Sequence, residues 1–455
     1  MEKRGSFSNV RGFILASVGS AVGLGSIWRF PYLVGDNGGA VFVAAYLCMV
    51  LLVGIPVLLA ELAIGRSSQS NVYGAFRKLA PGSKFPWHWA GGLAIITCVF
   101  ILAFYTVVSA WVTGYMFEAI RGTFSKLETP AQAAKLFESL TASPRWVLPF
   151  QVLFFAATAL IVAHGVKKGI ERSCEILMPI LGVLLLGLAI WGALLPGGSE
   201  AFTYLFKPNS QLTTRGLAEA LGQAFFNLSI GMGVMITYGS YLKKEENLLR
   251  ASISIVVFDT LVSFLSAIAI FGLLFSMGGK PVGGSDLVFK VLPVFFPRMW
   301  GGQFFAVLFF GLLALTALAA TISLLEVPVS YLVDERKWTR KKAAWTTAAA
   351  SFLFLGIPCA LSPGPLANFT WFFRQTFFDF LMFVSSNILL SVIALATTLF
   401  VGVAWGLRPA RKAITEGSSA AAAVPAVVWK LLIWVVCPAL IVLTLVAAAT
   451  QYIQP

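Results

Sequence analysis

The chain has 455 residues, of which 58% are hydrophobic and only 11% charged. A soluble domain carries about a quarter of its residues charged, so a soluble enzyme or binding module is excluded and a polytopic membrane protein remains. The net charge of +14 would suit nucleic acid, but its distribution assigns it to topology. Apolar runs of about twenty residues, enough to cross a bilayer, predict eleven spans. They lie at 12–34, 40–65, 88–120, 145–164, 170–195, 216–241, 251–276, 303–333, 343–361, 377–405 and 427–450. Twenty-one of the 33 basic residues then share the side of the N-terminus, against ten on the other. This is the positive-inside pattern. It predicts a multi-pass inner (plasma) membrane protein in the lipid bilayer, with a cytoplasmic N-terminus and an external C-terminus. The five cysteines lie singly, which gives no support to a disulfide or zinc framework. No nucleophile–base cluster marks an enzyme.

Span 1 is spoiled in its middle by "GSAVGLGSIWRFP", residues 19–31. Unpaired backbone groups in hydrocarbon cost several kcal/mol each, so irregular backbone survives only around a cavity. There the freed carbonyls can replace the water shell of a cation. The start of the resuming half-helix carries partial positive charge and attracts a carboxylate. A zwitterionic amino acid beside a sodium ion suits such a site. Glycine alone would also suit close helix packing, but its polar neighbours would not.

Span 2 holds Glu61 in "LLAELAIGR", expected to tie the helix breaks together by hydrogen bonds. The outer connection 121–144 predicts a short helix at 130–140. In span 5, Gly169 and Pro179 weaken the first turns, one by permissiveness and the other by a missing donor. Span 6 is broken by "NLSIGMGVMITYGS", residues 227–240. The two broken spans are separated by five, an odd step, so the second block of five enters the membrane upside down. Interrupted spans at matching places of two halves point to a transporter binding site. Three regions follow: a first repeat, 1–195; a second, inverted repeat, 216–405; and a linker with span 11, 406–455. The fold class is therefore all-α, eleven spans in an inverted five-plus-five arrangement with spans 1 and 6 broken.

Asp259 lies about nine residues into span 7, roughly 12 Å deep at 1.5 Å per residue. An ionisable group at that depth is functional by default. Ser263 shares its face, as Gln223 shares that of Asn227 on span 6. Residues 279–300 read as a Gly/Pro-bounded helical hairpin. The stretch 406–425, with "EGSSAAAAVP", reads as a small-residue linker.

The segments "GSAVGLGSIWRFPYLVGDNGGAVF", "GIPVLLAELAIGR", "QAFFNLSIGMGVMITYGSYL" and "SLLEVPVSYLVDE" together resemble the neurotransmitter:sodium symporter family, in its bacterial amino-acid branch with the leucine-transporter-like fold. The resemblance runs in order across essentially the whole chain. It implies sodium-driven uptake of an amino acid by alternating access, with sodium as the coupling ion and no obligatory protein partner. A first sodium would be held by the Ala21 carbonyl, Ser26, Asn227 and Asp259, together with the substrate carboxylate. Tyr46, Gln223 and Ser263 match the chloride pocket of chloride-dependent relatives. Here the Asp259 carboxylate supplies the negative charge, which predicts chloride independence.

For a second sodium the resemblance offers the carbonyls of Gly19 and Val22, with Thr316 and Ala320. The adjacent hydroxyls usual there fall on Ala319 and Ala320, which favours one strong sodium site. The substrate carboxylate would meet Tyr105 and the amides of Leu24 and Gly25, and the ammonium the carbonyls near Ser20, Phe226 and Ser229. The side chain would face Ile101, Met232, Leu324, Ala319 and Phe226, with Ala21 beside the ion. That lining has no charged member and predicts a hydrophobic or aromatic substrate. Arg29 and Asp379 would form the outer gate; Arg4 and Asp334 would form the inner one, supported by Ser240 and Tyr241. Gly169 and Pro179 would bound a segment of span 5 that unwinds. A proton-coupled or single-sodium transporter on the same fold is the alternative. From another class there is a non-transporting amino-acid sensor, which would need a soluble signalling domain.

Overall fold

The computed structural model describes residues 5–208, 212–280, 287–370, 375–416 and 425–453. Among them the chain is helical throughout. Nine helices are long and apolar enough to cross a membrane, and the pair Val10–Ala21 and Gly25–Asp36, bent by 50°, makes a tenth span. The predicted span 6 forms two shorter helices, Thr214–Asn227 and Val234–Gly239. The outer-loop helix runs Pro130–Thr141. Its Thr129 and Gln132 form a reciprocal capping box, which satisfies two otherwise orphaned amides.

Burial follows from which spans face lipid. Span 3, His88–Ile120, and span 8, Gly302–Asp334, are mostly enclosed, and they pack on each other. Span 11, Ala426–Ala447, is only 22% buried over its apolar stretch. Val183, Leu194 and Phe354 stand exposed on outer spans, where water would penalise them and hydrocarbon does not. The five cysteines are all free thiols.

Two sequence readings change. The stretch after span 10 is not a plain linker: Phe377–Thr415 is helical, with a turn at Gly406 (φ 98°) before a short helix, Leu407–Thr415. Its Ala410, Ala413 and Ile414 are buried as packing contacts, while residues 417–424 of the predicted linker lie outside the described residues. The hairpin at 279–300 consists, in its described part, of the short turns Leu287–Val291, Leu292–Phe295 and Phe296–Arg298; residues 281–286 lie outside the described residues.

The break in span 6 is held open by backbone that only particular residues tolerate. Ser229, Gly231 and Gly233 have φ of 52°, 78° and 71°. A Cβ on Gly231 would sit 2.3 Å from the Leu390 carbonyl oxygen in span 10. The Gly231 amide donates to Glu61 Oε1 at 2.9 Å, so span 2 holds the break in span 6. The other oxygen, Oε2, has no hydrogen-bond partner among the described residues, so Glu61 does not tie the two breaks together as expected. Gly231→Ala combines left-handed strain of about 1–2 kcal/mol with overpacking of about 1–3 kcal/mol. It should lower the thermal unfolding midpoint of the purified protein clearly and cut uptake by about tenfold or more.

Candidate substrate and cation site

The two breaks meet. Ser20 Oγ lies 2.9 Å from Ser229 Oγ, and Ser229 Oγ also donates to the Ser20 carbonyl at 3.1 Å. Between them is a cavity of about 20 Å³ lined by Ser20, Ala21, Gly23, Gly25, Ile101, Tyr105, Phe226, Ser229, Met232, Ala320, Ser323 and Leu324. That is room for a water or two, so the walls are drawn together in this conformation. Most of the expected lining is present. Leu24 and Ala319 are not part of it; Ala320 and Ser323 take the span 8 wall instead.

At one end of the cavity the Leu24 amide donates to Tyr105 Oη at 2.7 Å. This differs from the expectation that the amide waits for a substrate carboxylate. The Tyr105 hydroxyl keeps its own proton for an anion, and no carbonyl or carboxylate among the described residues accepts it. The approach is close: a Cβ on Gly23 would come within 2.6 Å of Tyr105 Oη.

At the other end lies a buried polar cluster. Ser26 Oγ donates to Asp259 Oδ1 at 2.6 Å, and Tyr46 Oη donates to Asp259 Oδ2 at 3.1 Å. Asn227 Nδ2 donates to Tyr46 Oη (3.1 Å) and Ser263 Oγ (3.3 Å). Gln223 Nε2 donates to the Gly25 carbonyl and to Asn227 Oδ1, each at 2.8 Å. Ser26 Oγ also stands 3.4 Å from the Ala21 carbonyl. Ser26, Tyr46, Gln223, Asn227, Asp259 and Ser263 are all 0% exposed. A missed member is Ser266, whose hydroxyl donates to the Ser26 carbonyl at 2.8 Å. It continues the Asp259–Ser263 stripe by one helical turn, which was the available signal.

The cluster therefore gathers one carboxylate with carbonyl, amide and hydroxyl oxygens, the donor set that hard cations prefer. Three or more His, Cys, Asp or Glu side chains gather nowhere among the described residues, so the donors do not suit a transition metal. A singly charged cation matches one carboxylate.

The second cation position is poorer in oxygen. Thr316 Oγ1 donates to the Leu312 carbonyl at 2.6 Å, within its own helix. Thr321 Oγ1 faces span 4, 2.8 Å from Thr158 Oγ1. At the break of span 1, span 8 presents the Ala320 methyl, 3.5 Å from where a Cβ on Gly23 would stand.

The Arg29–Asp379 gate is arranged differently from the paired charges expected. Arg29 stacks on Phe226, its guanidinium carbon 5.2 Å from the ring centre, and makes no ion pair with Asp379. Asp379 instead accepts from Thr376 Oγ1 at 2.7 Å in its own helix cap. Arg4 lies outside the described residues, and Asp334 accepts from the Asn71 amide at 3.0 Å. The end of the bundle beside the N-terminus is closed by Phe7, edge-on to Phe13, Tyr238 and Tyr241. Beneath them Tyr241 Oη donates to Glu326 Oε1 at 2.5 Å, and Arg340 pairs with Glu326 Oε2. Arg340 is one of the 21 basic residues on the side of the N-terminus; its partner Glu326 lies fourteen residues away on the preceding span, too far for any helical spacing to reveal. Gly169 lies in the helical stretch Val166–Glu171, where a Cβ would meet the Ile161 carbonyl at 2.0 Å. Pro179 lies inside the helix that follows, Arg172–Leu194.

The chain matches the sodium:neurotransmitter symporter family over residues 4–132 and 131–455. It is 40% identical over 393 residues to the uncharacterized sodium-dependent transporter YhdH of Bacillus subtilis, covering 86% of each chain. It is 37% identical over 410 residues to an uncharacterized sodium-dependent transporter of Haemophilus influenzae, covering 88% of this chain and 89% of that one. Its fold is similar to that of MhsT, solved in complex with L-phenylalanine, with a TM-score of 0.88 and 41% identity over 98% of this chain and 100% of that one. Two interrupted spans meeting at a buried oxygen cluster, along a chain matched end to end, lead to one conclusion: the protein belongs to the sodium:neurotransmitter symporter family, whose members are secondary transporters and not enzymes.

Proposed function

We propose that the protein is a sodium-coupled symporter taking up a hydrophobic or aromatic amino acid by alternating access, independently of chloride. The observation that carries this reading is the Asp259 carboxylate. It is buried beside the break in span 1 and hydrogen-bonded only by neutral donors, Ser26 and Tyr46. Its charge would be balanced by an incoming cation. Tyr46, which would otherwise be available to chloride, already donates to that carboxylate. Ile101, Phe226, Met232 and Leu324 give the cavity an apolar wall, and the related MhsT was solved with L-phenylalanine. For an amino acid to enter, Phe226 and the Arg29 stacked on it are the wall that must lift.

The transport cycle in this reading rocks the halves 1–195 and 216–405 about the fixed site, with the N-terminus cytoplasmic and Gly169 to Pro179 unwinding to release sodium inward. One sodium crossing 100 mV yields about 2.3 kcal/mol, and a tenfold gradient adds about 1.4 kcal/mol. The sum supports several-hundred-fold accumulation. Ala319 and Ala320 favour a single ion. Restoring hydroxyls with Ala319→Thr/Ala320→Ser should raise the Hill slope of sodium activation from about 1 toward 2.

A second reading, proton coupling at the same carboxylate, is favoured by the absence of any basic side chain among the Asp259 partners. One experiment separates the two: uptake of a labelled amino-acid panel into proteoliposomes, with sodium, chloride and pH gradients imposed separately. Sodium-driven uptake of large apolar amino acids, unchanged without chloride, is expected. Uptake driven by pH alone would favour the second reading, and uptake requiring chloride would remove the independence.

A further inference from the structure

We propose that a basic groove between the ends of spans 10 and 11 binds the headgroup of an anionic phospholipid. The helix Leu407–Thr415 is clamped to the bundle by Arg66 of span 2, which donates to the Ala413 and Glu416 carbonyls. Its buried Ala410, Ala413 and Ile414 face inward, leaving Arg408, Arg411 and Lys412 toward a groove of about 990 Å³. Lys430, from the first turns of span 11, enters the same groove, as do Trp429 and Trp434. Among the described residues no acidic side chain lines it. Arg408, Lys412 and Lys430 take part in no ion pair among the described residues.

Arg408, Lys412 and Lys430, brought together with no ion pair among the described residues, repel one another, and the repulsion grows where lipid excludes water. An anion in the groove relieves it. A second, independent feature marks the same place. Trp429 is 2% exposed, yet its indole N–H has no acceptor. A buried donor without a partner costs about 1–3 kcal/mol, and a phosphate oxygen would satisfy it.

The surroundings select a lipid over a soluble phosphate. On span 11, Val427, Leu431, Trp434, Val435 and Val442 are 78%, 53%, 47%, 54% and 46% exposed. Their spacing of three, four and seven residues places them on one helical face. This apolar stripe runs from the groove along the membrane-facing side of the span, where acyl chains would lie. Basic pockets between spans, with tryptophan at the interface, are the pattern for anionic headgroups. This inference goes beyond the transport reading and does not depend on the transported solute.

Native mass spectrometry of the detergent-purified full chain, titrated with phosphatidylglycerol, tests it. Phosphatidylglycerol should bind at least about tenfold more tightly than phosphatidylcholine. R408Q/K412Q/K430Q should lose that preference. W429F, which keeps the ring but lacks the N–H, should weaken binding severalfold. K337Q/K341Q/K342Q, removing the same charge elsewhere at this end of the bundle, should stay within about twofold of wild type. Glycerol phosphate alone should not compete; full competition by it would show a headgroup site without lipid and overturn the proposal. So would equal binding of the two lipids, or a loss in the control variant as large as in the groove variant. Unchanged binding in W429F would do the same, and it holds even where the triple variant fails to fold.

Discussion

Asp259→Asn should raise the sodium concentration for half-maximal uptake by about a hundredfold or more. The carboxylate is fully buried and receives Ser26 Oγ and Tyr46 Oη. The substitution preserves its size while removing the one fixed negative charge of the cluster. Breaking a buried charge pairing by neutralising one partner costs about 3–5 kcal/mol, and 3 kcal/mol is already more than a hundredfold in affinity. The substrate carboxylate would be left as the only anion beside the ion, so sodium and amino acid should become more strongly interdependent. A second consequence concerns chloride. Without the carboxylate, Tyr46 Oη loses its acceptor, and Gln223 and Ser263 remain within the same network. Added chloride should therefore recover part of the lost sodium affinity in the variant and do nothing in the wild type. Sodium activation curves in proteoliposomes, measured with chloride and with gluconate, check both statements. An unchanged sodium curve in Asp259→Asn would remove the carboxylate from the ion site, and with it the basis for chloride independence.

The membrane explains how much of this architecture could be read in advance. A bilayer demands about twenty apolar residues per crossing, so the spans were legible in composition alone. The breaks were legible because glycine and polar residues have no other tenable place at that depth. The Asp259–Ser263 and Gln223–Asn227 stripes, each legible from its i, i+4 spacing, meet through Asn227 and Ser263. What could not be read depends on helix rotation and on contacts between distant segments. Ala319 was assigned to the substrate wall beside Leu324, but at 3.6 residues per turn the two lie about 140° apart. Ala320 and Leu324, four residues apart, share one face, and together with Ser323 they line the cavity. The helix Leu407–Thr415 was hidden because alanine and isoleucine between basic residues look like linker until a bundle supplies something to pack against. Arg29 and Asp379 have opposite charges and suitable places, but in this conformation one stacks on Phe226 and the other caps its own helix.

Arg340→Met should destabilise the protein by about 3–5 kcal/mol, the second largest effect expected. Glu326 is 0% exposed, and its two oxygens are taken by Tyr241 Oη and by Arg340. Arg340 also donates through Nε to the Val162 carbonyl at 2.9 Å, so it joins spans 4 and 8 beneath the aromatic plug of Phe7, Tyr238 and Tyr241. Removing the guanidinium leaves a buried carboxylate with one hydroxyl donor. The chain can relieve this by opening the inner end and admitting water, so the loss of stability and a shift toward inward-open conformations should come together. Glu326→Met/Arg340→Met removes both charges at similar volume. Replacing a buried pair with apolar side chains is often neutral or stabilising, so the double variant should recover most of the unfolding midpoint. The Tyr241 hydroxyl then lacks its acceptor, a residual cost of about 1–3 kcal/mol. Thermal unfolding in detergent reads the stability, and accessibility of a cysteine placed at Ser17, on the closed inner side of span 1, reads the opening. If the single variant unfolds like the wild type, the pair is not what holds the inner end shut. If the double variant is no better than the single one, the cost arises from lost contacts with span 4 and not from a stranded charge.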